Sequence, residues 1–207
     1  MIKTIIKGIP LEFETNNNVF SPSAIDKGTL AMLSQIEFNQ DNMVLDLGCG
    51  YGVVGILASK IIGAENVAMC DISDDAVNIS KLNAILNNVS QVKIIKSNGL
   101  DDIVENNFTH ILSNPPYQAD FSVPKNFIEK GFYKLAIGGK IFMVTKRKEW
   151  YKNKLKSVFG NVQVEEVDGY FVFTAEKLSL YKPVKLMKEQ SLSKKLKRKY
   201  KNNKENT

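Results

Sequence analysis

One histidine and two cysteines are all that 207 residues contain of the side chains most used for proton shuttling, metal ligation and cross-linking. Two cysteines cannot build a disulfide framework. Cys49 and Cys70 also lack metal-ligand or redox spacing, so they read as structural thiols of a reduced, intracellular protein, and no metal is expected. His110, the one histidine, lies inside the apolar run "FTHILS" and reads as a packing residue rather than a proton carrier. Long apolar runs are missing too, which argues against a membrane span. The opening stretch "MIKTIIKGIPLEFE" gains acids and a proline before any signal-peptide core forms, so the cytoplasm is the expected compartment. The chain is long enough for one substantial core and short for two.

Charge is present but unevenly placed. Residues 182–207 hold ten Lys/Arg against two Glu, so this tail carries +8 of a chain whose total is +6, and the rest is at −2. A Lys-rich segment beside a near-neutral domain suits a polyanion, although charge runs of this kind often do no more than solvate a tail.

Short β-branched runs alternate with segments of helical period, the pattern of a wound α/β sheet with mostly parallel strands and helices on both faces. Strands are expected at "NMVLDLG", "NVAMCDI", "QVKIIKS", "FTHILS" and "KIFMVTK". Helices are expected over 53–62, 74–86, 125–136 and 149–159. "VQVEEV", then Asp168-Gly169, then "YFVFTAE" reads as a tight hairpin, which completes seven strands with an antiparallel C-terminal edge. Ahead of the core, "TIIKGIPLEFET" resembles a small hairpin and "SAIDKGTLAMLSQI" a helix capped by Ser23. The organisation is therefore a cover segment over 1–22, a domain over 23–177 and a basic tail over 178–207. Leu192, Leu196 and Tyr200 give that tail only a thin helical stripe.

Two turns carry the chemistry. "DLGCGYGVVG" follows the first core strand and opens a helix, offering bare backbone N–H groups and a close-approach surface at the carboxyl edge of the sheet. It is not a dinucleotide fingerprint, because Val53 stands where G-x-G-x-x-G requires its last glycine after Gly48 and Gly50. Asp46 would repel a pyrophosphate and attract an ammonium group, so the ligand should carry an amino acid. Asp71, ending the second core strand, is placed to accept both ribose hydroxyls, with Ile72 as an apolar surface for a base. An amino acid, a ribose and a base together describe S-adenosylmethionine. Asn98, in "KSNGLDDI", either pairs with the adenine amino edge or serves only an Asn-Gly turn.

The second turn is "SNPPY", leaving the fourth core strand on the same edge. Two prolines remove two backbone donors and leave carbonyls free to accept. An exocyclic amino or amide nitrogen is a poor nucleophile, because its lone pair is delocalised. If the Asn114 side-chain oxygen and the Pro115 carbonyl each accept one of its N–H bonds, the nitrogen is drawn toward tetrahedral geometry and its lone pair toward a sulfonium methyl. Tyr117 is placed to stack on a planar substrate. No base is needed early, since the nitrogen sheds its proton only after it has been methylated. The plainer alternative is a rigid loop with a buried tyrosine.

Together "VFS" (19–21), "DKGT" (26–29), "LDLGCGYGVVGI", "CDIS", "SNPPY" and "VEEVDGYFVF" resemble the methyltransferase-small family of class I methyltransferases, over about Val19 to Lys177. The resemblance implies a Rossmann-like fold binding S-adenosylmethionine. In it Asp46, Gly48 and Gly50 hold the methionyl part, Asp71 the ribose and Asn98 the adenine, Asn114 takes the target nitrogen, and Lys27, Gly28 and Thr29 line the pocket from the front helix. The best understood members methylate guanine N2 of small-subunit (16S) ribosomal RNA, and RNA is accordingly the expected partner. Many members have Phe or Ile where Tyr117 stands, and tyrosine also occurs in adenine-N6 and protein-glutamine methyltransferases sharing N-P-P. Those acceptors, and an RNA-binding assembly factor without catalysis, are the alternatives. Lys146, Arg147, Lys148 and Trp150, after the fifth core strand, would join the tail in contacting RNA.

Overall fold

A computed structural model describes residues 1–16, 19, 21–116 and 120–182. The chain opens with a hairpin of β1 (Ile2–Ile6) and β2 (Ile9–Phe13). Lys7 and Gly8 turn it with positive φ of 51° and 78°, the mirror-image turn that matches strand twist. Helix α1 (Lys27–Ser34) follows, and then the core begins: β3 (Val44–Leu47), α2 (Val53–Ile62), β4 (Val67–Asp71), α3 (Asp74–Leu86) and β5 (Lys93–Lys96). Next come β6 (Phe108–Ser113), α4 (Ser122–Lys134), β7 (Leu135–Thr145), α5 (Lys148–Phe159), β8 (Gln163–Val167) and β9 (Tyr170–Glu176).

The seven core strands run in the order β5-β4-β3-β6-β7-β9-β8. All neighbours are parallel except the antiparallel pairs β7–β9 and β8–β9. Strand order reverses between β3 and β6, since β3 leads outward to β4 while β6 starts the other half. The crevice at the carboxyl ends of these two strands is where an open α/β sheet receives ligands.

Period-two alternation divides the core. Val44, Met69, Leu112 and Val144 pack with α2 and the front hairpin, whereas Leu45, Leu47, Cys70, Ile111 and Met143 pack with α4 and α5. Asp46 thus falls on the α2 side of β3, which is decisive for the site. His110 is a packing residue, its ring stacked on Phe142 at 5.3 Å, and burial followed by the Lys140 charge pushes its pKa down to about 4. Among the described residues, no helix is long and apolar enough to cross a membrane.

Three boundaries differ from the sequence expectation. Helix α1 starts at Lys27, capped by Asp26, whose carboxylate accepts from the Thr29 N–H at 2.8 Å; Ser23 is exposed and caps nothing. Asp is as good a cap as Ser, and the stretch before it is needed to cross the site. Strand β7 starts at Leu135 rather than Lys140, with a register irregularity opposite Phe108–His110. Gly138 turns there with φ of 82°, and a side chain at Gly139 would come within 2.7 Å of the Phe108 carbonyl oxygen. Helix α4 correspondingly starts and ends earlier, over Ser122–Lys134, with Pro124 tolerated in its first turn. The Asp168-Gly169 turn has the positive φ values, 50° and 77°, that its sequence calls for.

The front hairpin is not a loose cover. Asn83 on α3 and Asn87, the C-cap one turn later, grip it as a neighbouring strand would. Asn87 accepts from the Glu12 N–H at 3.1 Å and donates to the Glu12 carbonyl at 2.7 Å, and Asn83 does the same for Glu14 at 2.8 and 2.9 Å. Asn83 also donates to the Tyr51 carbonyl at 2.9 Å, tying the hairpin to the glycine turn. Ile6, Leu11 and Phe13 are buried in the α2-side core.

Candidate active site

The ends of β3, β4, β5 and β6 enclose a cavity of about 330 Å³, walled by the glycine turn, Asp71 to Ser73, Ser97 to Gly99 and Asn114 to Pro116, and closed in front by Val19, Ser21, Asp26 and Thr29. Asp46, Gly48, Gly50, Asp71, Ile72, Asn98, Asn114 and Pro115 all line it, as does Thr29. Lys27 and Gly28 do not. Lys27 is exposed, and Gly28 is buried where an added Cβ would sit 2.9 Å from both the Tyr170 ring and the Asp26 carboxylate. Tyr117 and the tail beyond Lys182 lie outside the described residues.

The glycine turn differs from the bare-amide expectation. Gly48 and Cys49 N–H both donate to the Cys70 carbonyl at 2.9 Å, Gly50 N–H donates to Asp71 Oδ2 at 3.0 Å, and Gly52 N–H to the Cys49 carbonyl at 2.9 Å. With these donors used internally, the turn is no phosphate cradle. It offers space: Gly48 and Gly50 have φ of 78° and 56°, and a Cβ on Gly50 would meet no atom within 4 Å. A ligand can press against bare backbone there.

Asp46 is the electrostatic centre. It is 3% exposed, and Oδ2 accepts from the Gly55 N–H at 2.8 Å. It thereby caps the first turn of α2, whose N-cap, Gly52, has no side chain to do so. Burial drives its pKa up to about 7, against the opposing Gly55 bond, and the Asp71 charge adds to the rise. A buried carboxylate so destabilised is a receptor for a cation. Asp71 is anchored differently, accepting from Gly50 N–H on one oxygen and from Ser73 N–H at 3.0 Å on the other. Each oxygen retains a second lone pair for a hydroxyl donor. Ile72 is 63% exposed on the same wall. Asn98 both lines the cavity and opens a turn in which its carbonyl accepts from Asp101.

Asn114 is fixed by a buckle the sequence reading missed. Its Nδ2 donates to Asp26 Oδ2 at 2.7 Å and to Thr29 Oγ1 at 3.0 Å, across 88 and 85 residues. A carboxylate can only accept, so the amide nitrogen must face Asp26 and the oxygen must face away. Asn114 Oδ1 is buried and has no hydrogen-bond partner among the described residues. An unpaired buried acceptor costs about 1–3 kcal/mol and calls for an explanation. Asn114 lines the cavity, where a ligand donor can reach this oxygen. Asp26 was visible in "DKGT" as one residue of a motif; its Asp-x-x-Thr cap spacing was the local signal for its importance, while its bond to Asn114 had none.

A seven-stranded wound sheet with an antiparallel C-terminal hairpin and a cavity at the carboxyl ends of β3 to β6 is a class I methyltransferase architecture. The profile of the Methyltransferase small domain family matches residues 10–174. The chain belongs to that family. It is 29% identical to the ribosomal RNA small subunit methyltransferase C of Pseudomonas putida (strain GB-1), over 80% of this chain and 51% of that protein. It is 30% identical to the ribosomal RNA large subunit methyltransferase G of Klebsiella pneumoniae (strain 342), over 81% of this chain and 46% of that one. The chain thus spans about half the length of these relatives. Among solved structures, the T. thermophilus 16S rRNA N2 G1207 methyltransferase, in complex with AdoMet and guanosine, superposes with a TM-score of 0.75 at 25% identity, covering 85% of this chain and 50% of that one.

Proposed function

We propose that the protein is an S-adenosylmethionine-dependent methyltransferase of ribosomal RNA acting on an exocyclic amine, most simply guanine N2 of the small-subunit RNA. The observation that carries this reading is the buried Asn114 Oδ1 on the cavity wall, without a hydrogen-bond partner among the described residues and held in place by Asp26 and Thr29. A hydrogen-bond acceptor preset for an N–H donor is what activation of a planar amine requires. The relatives named for small- and large-subunit RNA favour RNA as the acceptor, and the guanosine of the T. thermophilus complex favours guanine.

The cradle fits the cofactor: Asp46 for the ammonium, Asp71 for the ribose hydroxyls, Ile72 and Asn98 for the adenine, and open backbone at Gly48 and Gly50 for the methionyl chain. When bound, S-adenosylmethionine supplies an electrophilic methyl on its sulfonium. Asn114 Oδ1 and the Pro115 carbonyl accept the two amine N–H bonds and turn the nitrogen lone pair toward that methyl, while Tyr117 holds the base plane. Such orientation can contribute up to roughly 7–11 kcal/mol. The proton left on the methylated nitrogen is acidic and leaves to water. A paired base must be extruded first, at a few kcal/mol. Work on ribosomal RNA implies a cytoplasmic location.

Methyl transfer from labelled cofactor into total ribosomal RNA against total protein tests the acceptor, and nucleoside mass spectrometry the product. N2-methylguanosine in RNA is the expected outcome. Label in protein, or in N6-methyladenosine, overturns the guanine reading. Asn114→Ala should abolish turnover with cofactor affinity nearly unchanged, and full activity in that variant would remove the mechanism.

A further inference from the structure

We infer that the carboxyl end of β7 carries an RNA backbone clamp made of Lys146, Arg147 and Lys148, a proposal that rests on the RNA-methyltransferase reading. The three are consecutive and exposed, and the ion pairs among the described residues involve none of them. Each is seated on an aromatic ring instead. Lys146 Nζ lies 4.9 Å from the Tyr170 centroid, Arg147 Cζ 5.0 Å from Phe121, and Lys148 Nζ 4.8 Å from Phe171. A ring restrains a long cationic chain without neutralising it, as a carboxylate would. Three restrained, unneutralised cations in a row suit successive phosphates of a nucleic-acid strand. The acid within the run, Glu149, occupies the first turn of α5, where a carboxylate suits the helix dipole.

The clamp adjoins the acceptor loop on both flanks. The register pairs Ser113 with Met143, so Asn114 and Lys146 leave the sheet from neighbouring strands. Phe121, beneath Arg147, is the N-cap of α4, which follows the Asn-Pro-Pro loop, and it stacks on Trp150 with centroids 4.5 Å apart. Tyr170, beneath Lys146, is the ring that confines Gly28, beside the Asp26 that holds Asn114. By contrast, Lys182 sits over Tyr133 at 4.7 Å, near the last residue of α4. The 13 residues of α4 span about 20 Å, so Lys182 itself lies at the opposite end of α4 from Phe121. Among the described residues, Lys146 and Arg147, in the turn after β7, and Lys148, which opens α5, are the consecutive cations beside the acceptor loop.

The test uses the full chain, a fluorescein-labelled single-stranded RNA 20-mer of mixed sequence, and anisotropy titrations across a salt series. Three phosphate contacts contribute about 2 to the slope of log Kd against log salt for a single strand. Replacing Lys146, Arg147 and Lys148 together by Ala should therefore lower the slope by about 2 and weaken binding about a hundredfold near 0.1 M salt, the deficit closing toward 1 M. Cofactor affinity and the thermal midpoint should stay put. Arg147→Lys, which keeps the charge, should retain the slope. Wild-type slope and affinity in the triple variant, or loss of the whole slope on deleting residues 182–207 alone, overturns the clamp. Methyl transfer to ribosomal RNA is measured in parallel. If the wild type labels RNA and the triple variant does so equally, the clamp falls and the functional reading stands; if the wild type labels no RNA, both fall.

Discussion

Asp46→Asn should make the unliganded protein more stable at pH 8 while destroying its cofactor site. The carboxylate is 3% exposed and its pKa is raised from 3.8 to about 7 by burial. A folded pKa above the unfolded one means that the folded protein holds the proton more tightly, so stability is greatest below about pH 4 and is lost as pH rises toward 7. About three pK units correspond to ~4 kcal/mol lost by pH 8. Asparagine keeps an oxygen for the Gly55 N–H and removes the charge, at the cost of an amide donor with no assigned acceptor, about 1–3 kcal/mol. Near pH 4, where Asp46 is itself protonated and the charge penalty is absent, the variant should be behind by that same amount, about 1–3 kcal/mol. At pH 8 the variant should be ahead by roughly 1–3 kcal/mol, which for a chain of this size is several degrees in Tm. Urea unfolding followed by tryptophan fluorescence at both pH values provides the comparison. A stability difference that does not move with pH, or a variant weaker at pH 8 than at pH 4 relative to wild type, would refute the buried-charge argument. Added cofactor should raise the wild-type midpoint and leave the variant's unchanged.

The same carboxylate predicts that cofactor affinity, measured calorimetrically, improves about tenfold per pH unit as pH rises toward 7, levels off, and declines above about pH 8 as a free α-amino group loses its proton; a flat profile would exclude Asp46 as the ammonium partner. Asp26→Ala releases the Asn114 amide and should cost kcat about 10- to 100-fold through a charge-assisted bond of about 1.5–3 kcal/mol, with KM for cofactor little changed and part of the activity recovered in Asp26→Asn, which keeps an acceptor. Asn83→Ala leaves the Glu14 and Tyr51 backbone groups unpaired and should cost about 1–3 kcal/mol. Amide exchange across residues 2–14 should then accelerate, which full protection in the variant would contradict.

Much of this was legible in the sequence because it is written in local spacing. The β-branched runs, the Asp168-Gly169 turn and the glycine turn after "VLDL" specify strands, a hairpin and a ligand-facing bend through dihedral preferences of residues close in the chain. That Asp46, Asp71 and Asn114 meet at one cavity could be expected for the same reason, since they stand toward the carboxyl ends of strands in a parallel sheet. What tertiary structure alone decided is which side chains meet. The Asp26–Asn114 bond spans 88 residues and exists because α1 packs on β7 and β9, which brings the turn before it to the end of neighbouring β6. The occupied amides of Gly48, Cys49 and Gly50 depend on β4 lying beside β3, and no reading of the glycine spacing contains that neighbour. Periodicity determines faces and turns; the partners of a buried polar atom, and hence which atom is left without one, follow only from packing.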